Sequence, residues 1–176
     1  IKERLNIKLS GIDYDRKFVF SEMGYNFEPS EIGAAFGLEQ LKKFKKFSKI
    51  RNENYFYHYK FFKKLANFFY VPVMLNKVHT NFLAYPVIIK DFKKINRKKL
   101  QIYLEKQSIQ TRPIFTGNSL RHPAFKDLRS SVNNVNQYTN SDYIMKNGIL
   151  IGCHQGLNTK NLDYIHKHII NFVNNI

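Results

Sequence analysis

From Ser30 to Leu65 apolar side chains recur at helical spacing, and beyond Asn67 that rhythm stops. This switch constrains the fold more than any other feature. A period near 3.6 commits a segment to a helix, while short apolar runs between breakers commit it to strands. Ser30, with Pro29 before it, is a good helix start. Ile32, Ala35, Phe36, Leu38, Leu41 and Phe44 follow on one stripe. A second helix is expected from about Ile50 to Leu65, with Tyr55, Phe56, Tyr59, Phe62 and Leu65 on its apolar side. Both aromatic stripes read as helix–helix packing. Ala34, Ala35 and Gly37 keep one patch slim, so that another backbone can approach closely.

After Asn67 strands and helices alternate. Phe82 to Ile89 is rich in strand formers, and Pro86 within it marks an edge or a bulge. Asn96 caps a helix through about Gln107, and Gln110 to Phe115 reads as a short strand. Ser130 to Asn140 is polar loop, Ser141 caps a short helix to Lys146, and Asn147-Gly148 stops it. Ile149 to Cys153 is a buried strand, followed by a last helix from about Thr159 to Val173. Residues 1–29 read as irregular and partly extended, with a short strand at Phe18 to Phe20. The expected class is therefore α/β: two long helices, then a small α/β sandwich of three or four strands against helices. That is too few strands for a doubly wound nucleotide fold, and neither GxGxxG nor a Walker sequence occurs. Organisation divides at the same place: residues 1–66 form a connector or interface, and 67–176 the self-contained part.

A chain of 176 residues is long enough for its own core. Its net charge of +16 permits a basic, non-catalytic binding module for nucleic acid, whose affinity would fall steeply with salt. The alternative is that lysines fill solvated faces, as KKFKK (Lys42 to Lys46) does on a surface helix; no zinc-finger or RNA-recognition motif is present, and no nucleic-acid partner is expected. Cys153 is the single cysteine, so an intrachain disulfide and a thiolate metal site are excluded. It reads as a small buried hydrophobe. His166 and His168 are two apart on a helix, hence on different faces and not a metal pair; His58 and His79 have no partner by spacing. No metal is expected. No apolar run approaches the length of a membrane span, and the charged opening IKERLNIKLS has no signal-peptide architecture. The expectation is a cytoplasmic chain without a membrane partner, or a piece of one.

Function is concentrated in Thr111 to Phe125, TRPIFTGNSLRHPAF. Arg112, Arg121 and His122 can meet anions, and Asn118 both donates and accepts hydrogen bonds. Pro113, Gly117 and Pro123 fix or release the backbone. A core has little use for that mixture; a site for a phosphorylated ligand does.

Three segments in order carry a resemblance. GYNFEPSEIGAAFGLEQL (Gly24 to Leu41) is similar to a segment of the DegT/DnrJ family, fold-type-I enzymes that use pyridoxal or pyridoxamine phosphate on nucleotide-linked keto sugars. His79 to Phe82, the TRP of Thr111 to Pro113, and the late GILIG strand with its following helix match later pieces of the same family. The resemblance covers essentially the whole chain and corresponds to the C-terminal half of such an enzyme, the end of its large domain followed by its small domain. Gly117-Asn118 and GCHQ (Gly152 to Gln155) resemble the 3-dehydratase branch, which makes 3,6-dideoxy sugars for surface polysaccharide. In that branch a His replaces the Schiff-base Lys, at a position upstream of Ile1.

The resemblance implies roles. Asn26 falls on the Asn of GYN, which in the family reaches across a homodimer to the neighbour's cofactor phosphate; the alternative is a turn Asn after Gly24. Glu28 stands where the family often has Arg. Arg112, at a strand end, holds a ligand or forms a structural ion pair. Phe115 walls the sugar pocket or packs. Asn118 bonds sugar hydroxyls or serves turn chemistry. Arg121 suits a sugar-nucleotide diphosphate through its planar fork. His154 is a hydrogen-bond partner in the site or packs in its loop. No catalytic residue falls within this stretch. The implied substrate is a nucleotide-linked 4-keto-6-deoxy sugar, and the implied reaction is 3-dehydration, with amino transfer as the alternative. The chain alone is expected to be inactive and to show no pyridoxal absorbance band.

Overall fold

The structure, a computed structural model, describes residues 7–9, 12–14, 19, 25, 27–75, 78–115, 117–125, 127 and 135–176. The chain divides into two compact units, Ile1–Leu41 and Lys42–Ile176.

In the first unit, β1 (Ile7–Leu9) and β2 (Ile12–Tyr14) form an antiparallel hairpin with Ile7 opposite Tyr14. It occupies part of the segment expected to be irregular and partly extended. The strand expected at Phe18 to Phe20 lies outside the described residues, apart from Val19, which is in no strand. Helix α1 (Glu31–Lys64) starts directly after Ser30, whose carbonyl accepts from the Ala34 amide at 3.0 Å. Ile32, Phe36, Leu38 and Leu41 are exposed on it.

The two long helices expected are one. Helix α1 runs unbroken for 34 residues through KKFKKFSKI, which contains no Gly or Pro to end it. The gap in the apolar stripe marks where burial changes, not where the backbone breaks; Lys42 to Lys46 are exposed there.

The second unit follows the expected alternation. Its elements are β3 (Phe69–Tyr70), β4 (Ala84–Ile89), α2 (Arg97–Lys106), β5 (Thr111–Pro113), α3 (Thr139–Asn147), β6 (Gly148–Gly152) and α4 (Thr159–Asn174). The strands form one antiparallel sheet in the order β3-β4-β6-β5. Tyr85 lies opposite Ile151 and Val87 opposite Ile149, so β4 and β6 turn the same face inward. On that face Tyr85, Val87, Ile89, Ile149 and Ile151 are buried together with Leu100 and Leu104 of α2, Ile165 and Ile169 of α4, and Tyr55 and Phe62 of α1. Each such side chain contributes ~1.5–3 kcal/mol on burial, so this face is the core. Pro86 is tolerated in β4 because, among the described residues, β3 pairs only with Ile88 and Ile89 and leaves that flank of Pro86 without a strand.

Local signals explain most boundaries. Asn96 caps α2 through Oδ1, which accepts from the Lys99 amide at 3.0 Å. Asn158 and Asn161 form a reciprocal capping box on α4, at 3.1 and 3.0 Å. Ser141 does not cap α3; the helix begins two residues earlier, after Tyr138, without a side-chain cap. Among the described residues no helix is long and apolar enough to cross a membrane.

His58, without a partner by spacing, has one across the fold. Its Nδ1 lies 2.9 Å from His166 Nε2, and its Nε2 lies 3.0 Å from the Gly152 carbonyl. A carbonyl only accepts, so His58 donates from Nε2 and accepts at Nδ1 from His166 Nε2–H. The bond requires a neutral His58, whose Nδ1 must keep its lone pair, and burial disfavours charge on either ring. Burial lowers His58 to about 4, opposed by its bond to Gly152. Burial, with the neighbouring His58 as the next cause, lowers His166 to about 3. Phe61 stacks on His166 at 3.8 Å and excludes water from it.

Two predictions follow from this packing. The unfolded chain binds protons at these histidines below about 6.5 and the folded chain does not. Stability is therefore full above that pH and falls as pH drops toward 4, and urea midpoints between pH 7.5 and 4 should show it, with a flatter profile in His166→Gln. Gly117 has φ +60, and a Cβ there would stand 2.5 Å from Met145 Cβ. Gly117→Ala should cost about 1–3 kcal/mol by urea unfolding.

Candidate functional site

A cavity of about 640 Å³ opens in the second unit where β5, the end of β6 and the start of α4 meet. That size is in the range of small-molecule sites. Its wall is mainly apolar, with Ile109, Leu150, Leu157 and Tyr164, and its polar groups include Arg112 and His154. Three of the residues singled out from the sequence, Arg112, Phe115 and His154, thus line one cavity although His154 comes from a separate segment.

The sequence places Arg112 by fixing the residue before it. The Thr111 amide and hydroxyl both donate to Glu105 Oε1, at 2.6 and 2.8 Å. Gln101 donates to the same hydroxyl at 3.3 Å, and Arg97 donates to Gln101 at 2.7 Å. Strand β5 is short, yet its entry is held by a chain of side chains on α2. The Thr111 bonds hold the Glu105 carboxyl below its usual range, and the charge of Arg112 adds to this. Among the described residues Arg112 makes no ion pair.

Phe115 follows β5 in a left-handed conformation, φ 44, and the residue is 74% exposed. A bulky residue rarely adopts that conformation, and such strain gathers at functional positions. His154 leaves β6 and lies at the cavity wall, where Nδ1 accepts from the Gly156 amide at 3.1 Å.

Asn118 and Arg121 meet each other's partner instead. Asn118 is 3% exposed, and its Oδ1 caps the following 3-10 turn at Leu120 while its Nδ2 donates to Asp142 Oδ1 at 2.8 Å. Arg121 grips the same carboxylate through Nε and Nη2, and Nη2 also reaches Asn136 Oδ1 at 3.1 Å. Arg121, then Asn118, hold Asp142 down to about 2. Neither residue lines the cavity. Asp142 is the hub that sequence reading missed, as it missed Glu105. The usable signal was scarcity: 13 acidic residues face 29 basic ones, so each acid is a strong candidate for a specific basic partner. Asn26 lies outside the described residues. Among the described residues no three His, Cys, Asp or Glu side chains gather as a metal site would require.

The comparison with known proteins fits this geometry. The chain is 33% identical over 152 residues to the lipopolysaccharide biosynthesis protein RfbH of Salmonella typhimurium, covering 86% of this chain and 34% of that protein. It is 32% identical over 165 residues to a GDP-4-keto-6-deoxy-D-mannose 3-dehydratase of Escherichia coli, covering 91% of this chain and 41% of the enzyme. The solved E. coli GDP-4-keto-6-deoxy-D-mannose-3-dehydratase with bound hydrated pyridoxal phosphate superposes with a TM-score of 0.66 at 31% identity, over 86% of this chain and 38% of that one. The chain therefore spans well under half of these relatives. Residues 2–170, nearly the whole chain, match the DegT/DnrJ/EryC1/StrS aminotransferase family, and the chain belongs to it.

Proposed function

We propose that this chain supplies the sugar-nucleotide wall of an enzyme that removes the C3 hydroxyl from a nucleotide-linked 4-keto-6-deoxy sugar, working as a homodimer in the cytoplasm. One observation carries the reading: Arg112, Phe115 and His154 line a single cavity in a chain 32% identical to a 3-dehydratase of such a sugar. A guanidinium suits the diphosphate, an exposed ring suits the face of a sugar or base, and an imidazole suits a hydroxyl or carbonyl oxygen. Asn118 and Arg121 then shape the neighbouring loop through Asp142 rather than touch the ligand. The exposed apolar residues Ile32, Phe36 and Leu41 of α1 support the homodimer.

The cavity does not fit pyridoxal phosphate itself. Among the described residues its lining holds one guanidinium and no lysine. Asn26, the cofactor-phosphate candidate, is outside the described residues. The residues that fit belong to the substrate end, and no chemical step is assigned to them beyond binding and orientation.

Calorimetric titration of the full chain with GDP-mannose tests the site. Arg112→Ala and His154→Ala should each weaken binding roughly tenfold or more, the scale of a lost charge-assisted hydrogen bond. Unchanged affinity in both would overturn the assignment. Incubation of the chain alone with a 4-keto-6-deoxy sugar nucleotide and pyridoxamine phosphate should leave the sugar unchanged; turnover would overturn the assignment of binding and orientation alone to these residues.

A further inference from the structure

Gly152 to Gly156, GCHQG, carries the chain out of β6 toward α4, and α1 grips this turn with three polar side chains. The Gly152 carbonyl takes the His58 bond described above. Gln155 Oε1 accepts from Arg51 Nε at 2.8 Å. Asn54 Nδ2 is shared among three carbonyls, those of Cys153 at 3.4 Å, His154 at 3.0 Å and Leu157 at 3.2 Å. Arg51, Asn54 and His58 are spaced by three and four residues, so they form one row on α1. Asn54 is 7% exposed and sits beside the buried Tyr55. An amide so placed costs free energy unless its bonds are made, and here they are made to the turn alone.

The turn in turn seats one imidazole. A Cβ at Gly156 would stand 3.1 Å from His154 Nδ1 and 3.2 Å from its Cε1, and a Cβ at Gly152 would stand 3.5 Å from its Cδ2. The ring therefore lies between two bare Cα positions. The Gly156 amide can only donate, so Nδ1 keeps its lone pair and the neutral ring carries its proton on Nε2. The Nε2–Cδ2 edge is the one beside Gly152, and both residues line the cavity.

We propose that Asn54, assisted by Arg51, is a positioning residue that holds this turn so that His154 offers a fixed Nε2–H donor at the cavity wall to an oxygen acceptor on the ligand. The nature of that acceptor, a sugar or phosphate oxygen, rests on the functional reading above. The fixed tautomer does not.

Two-bond proton–nitrogen spectra of the histidine rings in the 15N-labelled full chain, at alkaline pH, test the proposal without ligand. His154 should show a single Nε2–H pattern. Asn54→Ala should convert it to a mixed or switched pattern, while His168, bonded to Tyr103 elsewhere, keeps its signature. Gly156→Ala tests the seat with the Asn54 bonds in place, should Asn54→Ala fail to fold, and should also lose the single pattern. An Nδ1–H or averaged His154 in the unaltered chain would overturn the proposal, as would a folded Asn54→Ala that retains the original pattern or, should that variant not fold, a Gly156→Ala that retains it. Adding GDP-mannose then separates the two readings: an intact tautomer with no shift at His154 sinks the ligand assignment and leaves the positioning role standing.

Discussion

The carbonyls of the turn after β6 need donors, and the second unit depends on how these are supplied. Strand β6 is paired on both sides, by β4 and β5. Its chain must then leave the sheet beside the core and start α4, where no ladder serves its backbone. Asn54 and His58 answer for four of those carbonyls from α1. Helix, sheet and last helix are thereby joined by directed bonds as well as by apolar contact. Hydrophobic burial alone would permit sliding of α1 over the sheet; these bonds select one register.

The same economy shapes the rest of the site. Glu105 uses one carboxylate oxygen to hold both donors of Thr111, and Asp142 uses its two oxygens to hold Asn118 and Arg121. Each acid organises a segment next to the cavity rather than facing into it. What remains toward the cavity is an apolar wall with a guanidinium and an imidazole among its polar groups. That division between anchoring and presenting groups suits a binding surface that must keep its shape while empty.

Much of this was legible in the sequence where local physics decides. Asn96 before an apolar-periodic run is a cap whatever lies elsewhere, and alternating short elements after Asn67 leave little besides a small sheet against helices. Illegibility began where partners are distant. Nothing near His58 reveals His166, and nothing near Arg121 reveals Asp142. Spacing also misled between Phe44 and Ile50, because a fading apolar stripe reports lost burial and a helix needs no burial to continue through lysines. Arg112, Phe115 and His154, which line the cavity, were singled out because Arg112 and His154 follow strand ends and Phe115 closes the strand expected from Gln110. Asn118 and Arg121 were singled out by the same chemistry, yet the bonds they make belong to the loop.

The shortness of β5 has a consequence for how copies of this chain coexist. Among the described residues the sheet ends on one side in β3, two residues long, and on the other in β5, three residues long. A sheet margin is a template on which another chain can add a strand, and length, flatness and apolar character make it a better one. Here the outer margin carries Arg112, whose charge resists a like-charged neighbour, and Pro113, which has no amide hydrogen to offer. The residue that faces the cavity thus also guards the sheet against fibrillar addition, so a substitution chosen to retune one would expose the other.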